Sequence, residues 1–235
     1  MNNYKYMFKK LYKINHFSRL YKYNDLLIKK VPMNNKLIKY DNEFNILRNF
    51  DSEFIIKIKE SYEDTDYFYT VMDYYSNKDI YENIKNRKIS IDKDFINKII
   101  KPIEIIHSQN IVHLDIKLEN YLLNDNNDFT LIDFQWSKNH SFDYYHKIEL
   151  YNKKIYGTEC FMAPEFILNK EYCKSTDIYS IGCLLFLVYT RKLYDKNNLY
   201  LLDNLSFEIK NLIVKLLDYD YKKRPTVYEI KNYLI

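Results

Sequence analysis

The stretch HLDIKLEN, His113 to Asn120, sits mid-chain between two apolar runs. It carries a carboxylate at Asp115, an ammonium two residues later at Lys117 and an amide at Asn120. A charged surface loop needs only solubility, and many polar residues supply that. A catalytic loop needs particular groups at fixed spacing, and four polar types in the order His, Asp, Lys, Asn meet that description. The surrounding sequence decides between the two readings.

Phosphoryl transfer makes a short list of demands: a cation on the phosphates, a carboxylate to hold that cation, carboxylate and amide oxygens for Mg²⁺, and a carboxylate to orient the attacking hydroxyl. The chain offers these groups in one order. Lys29 lies in LLIKKV (Leu26 to Val31), a run of aliphatic and β-branched residues after the turn signal Tyr23-Asn24-Asp25, which predicts a strand. Glu43 lies in NEFNILRNF (Asn42 to Phe50), where Phe44, Leu47 and Phe50 fall at helical spacing. Asp115, Lys117 and Asn120 share one loop, and Asp133 follows the strand-like FTLI.

Order and spacing together resemble a eukaryotic-type protein kinase domain over nearly the whole chain. LLIK is similar to the family's VAIK strand, and HLDIKLEN to HRDLKPEN. DFQ (Asp133 to Gln135) is similar to DFG, and GTECFMAPE (Gly157 to Glu165) to the substrate-binding loop with its APE ending. DIYSIGC (Asp177 to Cys183) resembles the buried helix that anchors the catalytic loop, and Arg224 the arginine that pairs with the APE glutamate, here Glu165. The resemblance implies Asp115 as catalytic base, Lys117 steadying the transferred phosphate, Lys29 on the phosphates held by Glu43, and Asn120 and Asp133 as Mg²⁺ ligands. It implies Leu20, Leu27 and Leu122 around adenine, Met72 guarding the pocket, and Asp73 to Tyr75 as the hinge. Leu47, Ile58, His113 and Phe134 would form the hydrophobic spine. Lys117 and GTECFMAPE are of the serine/threonine type, with Thr158 contacting Asp115 and Lys117. ATP, Mg²⁺ and a protein substrate follow as expectations.

The chain departs from the pattern at several places. Lys13, Asn15 and Ser18 stand where the phosphate loop has glycines, which predicts weaker ATP binding but not its loss. Leu114 replaces the arginine that reads a phosphorylated activation loop, which predicts activity independent of that phosphorylation. Gln135, beside Trp136, replaces the DFG glycine and predicts one fixed state. Leu27 stands where the family has a small residue above adenine, which predicts a narrower pocket. Little more than Tyr194 to Leu205 separates the two last helical runs, so the family's substrate-docking helix is expected to be shrunken or absent.

The fold expected is α+β, a two-lobed protein-kinase-like domain over 1–235, with a small β-rich N-lobe to about residue 75 and a larger helical C-lobe from 76. IIKIKESYEDTDYFYTVMDYY predicts two strands about Glu63-Asp64-Thr65-Asp66. Helices are predicted over Asp94 to Gln109, over Asp177 to Tyr189 (apolar nearly all round, hence buried) and over Ser206 to Leu217 with Ser206 as N-cap.

Composition sets bounds on this reading. A chain of 235 residues buries roughly 70–75% of its unfolded surface and needs no staples. Its 36 basic and 32 acidic residues are interspersed, so no nucleic-acid partner is expected. The 3 cysteines lack CxxC spacing, which fits a reducing cytoplasm better than a disulfide framework. The N-terminus lacks a signal's apolar core, and the longest apolar run, about Ile181 to Tyr189, is too short to cross a bilayer, so neither leader nor membrane is expected. With 26 Tyr and abundant Asn, Ile and Lys, usage follows A/T-rich codons; an intracellular parasite or large DNA virus fits, and with it the host cytoplasm. Both glycines (Gly157, Gly182) and the one alanine (Ala163) fall on motif positions. Two rival functions are weighed: a pseudokinase that mimics or inhibits a kinase partner, favoured by the lost glycines and the narrower adenine site expected from Leu27, and a small-molecule phosphotransferase, disfavoured by Lys117 and the APE segment.

Overall fold

Five short strands open the structure: β1 (Lys10–Ile14), β2 (Arg19–Tyr23), β3 (Leu26–Pro32), β4 (Ile58–Glu63) and β5 (Tyr67–Asp73), antiparallel in the order β1-β2-β3-β5-β4. The computed structural model describes residues 10–14, 18–34, 39–77, 79–140, 146–147 and 159–234. Its chain divides into two units. One holds the residues up to Lys78 together with Leu122–Trp136; the other holds Asp79–Tyr121 and Ser137 onward.

Strand periodicity sorts the sheet's two faces. Leu20 pairs with Lys29, Leu27 with Met72 and Lys29 with Thr70, so these side chains share one face. The other face buries Ile28, Tyr69 and Val71 beneath Tyr21, Tyr23, Tyr62 and Tyr67. Tyr62 stacks on Tyr69 with ring centroids 4.6 Å apart, and the Lys30 ammonium lies 3.6 Å from the Tyr67 ring centre. The tyrosine-rich composition thus roofs a sheet whose aliphatic content alone would leave it thin. The turns follow local chemistry. Asn24 tolerates a positive φ of 50°, and the Asp64 carboxylate accepts the N–H groups of Asp66 and Tyr67 at 2.9 Å each.

Helix α1 (Asn42–Leu47) stops sooner than the apolar spacing through Phe50 predicts. Past Leu47 the bonds tighten to i→i+3, Asn49 to Ile46 and Phe50 to Leu47, and Phe50 enters the core from this turn.

The second unit is mainly helical. Helix α2 (Ile80–Lys85) and helix α3 (Lys93–Ser108) are capped by Asp79 and Asp92, each accepting the N–H three residues on. Pro102 lies inside α3. Three two-stranded ladders follow. The first pairs β6 (Ile111–Val112) with β9 (Lys138–Asn139). The second pairs β7 (Tyr121–Leu123) with β8 (Phe129–Leu131), nearly all of it in the first unit. The third pairs β10 (His146–Lys147) with β11 (Glu171–Tyr172). Helix α4 (Pro164–Asn169) starts at the APE segment, α5 (Lys174–Thr190) is buried nearly all round, and α6 (Phe207–Leu216) is capped by Ser206. Lys196–Asn204 is a 3₁₀ coil, all that stands where the substrate-docking helix is expected.

Gly182 answers to packing. A Cβ there would sit 2.9 Å from the Leu216 Cβ and 3.0 Å from two Leu217 side-chain carbons. Gly182→Ala should therefore lower stability by about 1–3 kcal/mol through overpacking, despite alanine's better helix propensity, as read by urea denaturation.

Candidate active site

In the first unit, β3 delivers Lys29 from the sheet and α1 delivers Glu43. The Lys29 Nζ lies 2.7 Å from Glu43 Oε2 and 2.8 Å from Asp133 Oδ1, so a buried ammonium bridges two carboxylates. Burial opposes the Lys29 charge, but Asp133 and then Glu43 outweigh it, and the lysine pKa rises above its ordinary value. The stabilisation is therefore whole below the ordinary lysine pKa of about 10.4 and is lost only as pH climbs through the higher folded value. Amine-reactive acylation between about pH 7 and 9 should label the exposed lysines and leave Lys29 intact, as read by peptide mass mapping.

Asp133 sits at φ 65°, a left-handed conformation uncommon for a side chain with a Cβ. The backbone that follows is held from α1. Glu43 Oε1 accepts the Phe134 N–H at 3.0 Å, while the Asn42 amide donates to the Gln135 carbonyl at 3.1 Å and the Phe134 carbonyl at 3.5 Å. The Phe134 side chain is fully buried and packs on Phe50.

Leu20 and Leu27, both half-buried, and buried Met72 lie on the Lys29 face of the sheet. Asp73 ends β5, and its carboxylate is engaged by Lys59 at 2.6 Å. The Tyr74 N–H donates to the Asp25 carbonyl at 2.9 Å. Leu122 lies in β7. Of the spine residues in this unit, Leu47 and Phe134 are fully buried and Ile58 is half-buried.

In the second unit, HLDIKLEN is a folded loop. Lys117 Nζ contacts Asp115 Oδ1 and Oδ2 at 3.0 and 2.7 Å. Asn120 Nδ2 donates to the Asp115 carbonyl at 2.8 Å and to its Oδ2 at 2.9 Å. The loop is anchored by Asp177, which is 0% exposed. Its Oδ2 accepts the His113 N–H at 2.8 Å and meets His107 Nε2 at 2.9 Å, and its Oδ1 accepts the Leu114 N–H at 2.9 Å. That last bond holds Leu114 at φ 67°. In the same unit Arg224 grips Glu165 in a two-pronged pair at 2.7 and 2.8 Å.

The phosphate-loop residues Asn15 and Phe17, and with them Gly157 and Thr158, lie outside the described residues. Lys13 is exposed on β1, and Ser18 is buried. Ser137 is also buried, its hydroxyl donating to the His113 carbonyl at 3.3 Å.

A family model described as protein kinase domain matches residues 22–234. The chain belongs to the protein kinase family. It is 32% identical over 225 residues to 3-phosphoinositide-dependent protein kinase B of Dictyostelium discoideum, across 88% of this chain and 25% of that protein. It is 29% identical to an Aurora kinase of Eremothecium gossypii (70% and 48%) and 25% to a calcium/calmodulin-dependent protein kinase type 1 of Macrobrachium nipponense (85% and 63%). The kinase chain spans from a quarter to under two thirds of these relatives' lengths. Sequence reasoning missed Asn42 and His107. An Asn beside Glu43 and a His on an apolar helix face carry no signal until the tertiary partners are known.

Among the described residues no cluster of three or more His, Cys, Asp or Glu suits a metal. Mg²⁺ does not need one, since it keeps several waters and is held by one or two protein oxygens plus phosphate. The Asp133 side chain, 29% exposed, and the Asn120 amide oxygen fit that donor chemistry.

Proposed function

We propose that this protein kinase transfers the γ-phosphate of MgATP to serine and threonine hydroxyls of protein substrates, and does so without activation-loop phosphorylation. The observation that carries the reading is the buried Lys29 ammonium held between Glu43 and Asp133. A cation held in this way is suited to meeting phosphate charge. Mg²⁺, when bound, neutralises phosphate charge; Asp133 and the Asn120 oxygen would hold it. Asp115 would accept the hydrogen bond of the substrate hydroxyl and aim its oxygen at phosphorus, while Lys117, already on that carboxylate, would meet charge on the moving phosphate. Serine/threonine preference rests on Lys117 and on the name of one further relative, a probable serine/threonine-protein kinase KIN1 homolog of Enterocytozoon bieneusi, 28% identical over 188 residues across 76% of this chain and 30% of that protein. Independence from loop phosphorylation rests on Leu114. It offers no cation for a phosphate to order, and its backbone is held instead by Asp177.

The experiment is a melting curve with and without MgATP, beside label transfer to a basic protein carrying Ser and Thr or only Tyr. The expected result is a higher Tm with MgATP and label on Ser/Thr alone. No shift and no label would leave a kinase scaffold that only binds partners.

A further inference from the structure

The lysine between two carboxylates is held here by a device that the kinase reading does not require. The segment Phe134–Trp136 forms a single 3₁₀ turn directly after Asp133. In it a glycine's rotational freedom is replaced by Gln135. Asp133 itself is in the left-handed region, so a restraint downstream must keep its carboxylate on Lys29. Helix α1 supplies that restraint from two adjacent residues. Glu43 spans the Lys29 ammonium with one oxygen and the Phe134 N–H with the other. Asn42, at the first position of the same helix, gives its amide N–H groups to the two carbonyls that follow, at 3.5 and 3.1 Å.

We propose that Asn42 is a positioning residue: its amide, acting with Glu43, clamps the Phe134–Trp136 turn and thereby fixes Asp133 against Lys29, so that the metal-binding carboxylate is set without a regulatory signal. The division of labour is chemical. Glu43 can only accept, so it holds the turn's N–H. Carbonyls need a donor, and a neutral amide supplies one without adding charge beside Lys29, Glu43 and Asp133. Phe134, fully buried, fills the space under the turn but cannot fix its peptide planes.

The chain carries one tryptophan, and Trp136 closes the clamped turn. Its fluorescence reports the turn without any catalytic assay. Asn42→Ala removes both donated bonds, whereas Asn42→Asp keeps the shape and removes the donor. Both variants should raise acrylamide quenching of Trp136 about twofold over wild type. Both should lower kcat for phosphate transfer about tenfold with the KM for ATP little changed, because Lys29 still holds the phosphates. Gln135→Gly should add to the loosening in wild type and add nothing further in Asn42→Ala. Unchanged quenching in both Asn42 variants overturns the clamp, as does a fall in Tm with no change at Trp136, which would make Asn42 merely structural. The rate readout depends on the kinase reading and the fluorescence readout does not, so a chain that transfers no phosphate still tests the role of Asn42.

Discussion

Asp115→Asn should cut phosphate transfer by about 10²–10⁴-fold, the range a positioned acid or base contributes. The substitution keeps the shape of the side chain and removes its charge. In the folded loop both Asp115 oxygens face the Lys117 ammonium and one also accepts from the Asn120 amide. An asparagine with its oxygen in the Oδ2 position still accepts from Lys117 and from Asn120, but its NH₂ then replaces the Oδ1 that also met Lys117, and one hydrogen bond worth roughly 1 kcal/mol is lost. The stability effect is thus small while the rate effect is large. Single-turnover label transfer alongside a melting curve separates the two. A Tm within a few degrees of wild type together with a collapsed rate assigns the loss to chemistry. A retained rate would remove Asp115 from the role of base.

Asp177→Ala should have the reverse signature, with stability lost first. Its carboxylate is fully buried and accepts the N–H groups of His113 and Leu114 while meeting His107. Two buried donors deprived of this acceptor cost roughly 1–3 kcal/mol each, and Leu114 would relax from the left-handed conformation that the carboxylate holds. The sum is about 3–5 kcal/mol, or roughly 6–20 °C in Tm at about 2–4 °C per kcal/mol for a chain of this size. Activity should fall even below the new Tm, because His113 and Leu114 lead directly into Asp115. Asp177→Asn, which retains one acceptor, should lie between. A Tm unchanged in Asp177→Ala would mean that the loop is held by packing alone.

The sequence made some of this legible and left the rest hidden, for physical reasons. Lys29 was findable because its strand announces itself by branched aliphatics, and Asp115, Lys117 and Asn120 because a loop fixes spacing along the chain. Period-two alternation then places Leu27 on the face of Lys29, whereas Leu20 and Met72 join them only through the register of the neighbouring strands. Helix ends followed where a cap announces them, as Ser206 does for α6. Where α1 stops was not legible. The spacing of Phe44, Leu47 and Phe50 suits a helix, yet the last turn tightens so that Phe50 can reach Phe134. The place of Leu122–Trp136 in the first unit was hidden for a similar reason. The parallel bridge between Ile55 and Leu131 and the Thr130 hydroxyl on the Glu53 carbonyl are long-range contacts without a local pattern. Asn42 and His107 belong to the same class, since each is defined by a partner 70 or more residues away.

The departures also read differently once the contacts are seen. Leu114 removes a cation from the catalytic loop, yet the loop keeps its anchor through backbone bonds that do not depend on that side chain. Gln135 removes a flexible residue where α1 already holds the backbone. Both changes point toward a site set by folding rather than by modification, and the early time course of transfer tests this most directly. Phosphatase-treated protein, freed of the phosphatase and mixed with labelled MgATP and a Ser/Thr substrate, should give product that rises linearly from the first time point, with none in Asp115→Asn. A lag that shortens after pre-incubation with ATP, or no product from wild type at all, would contradict a kinase whose site is complete as folded.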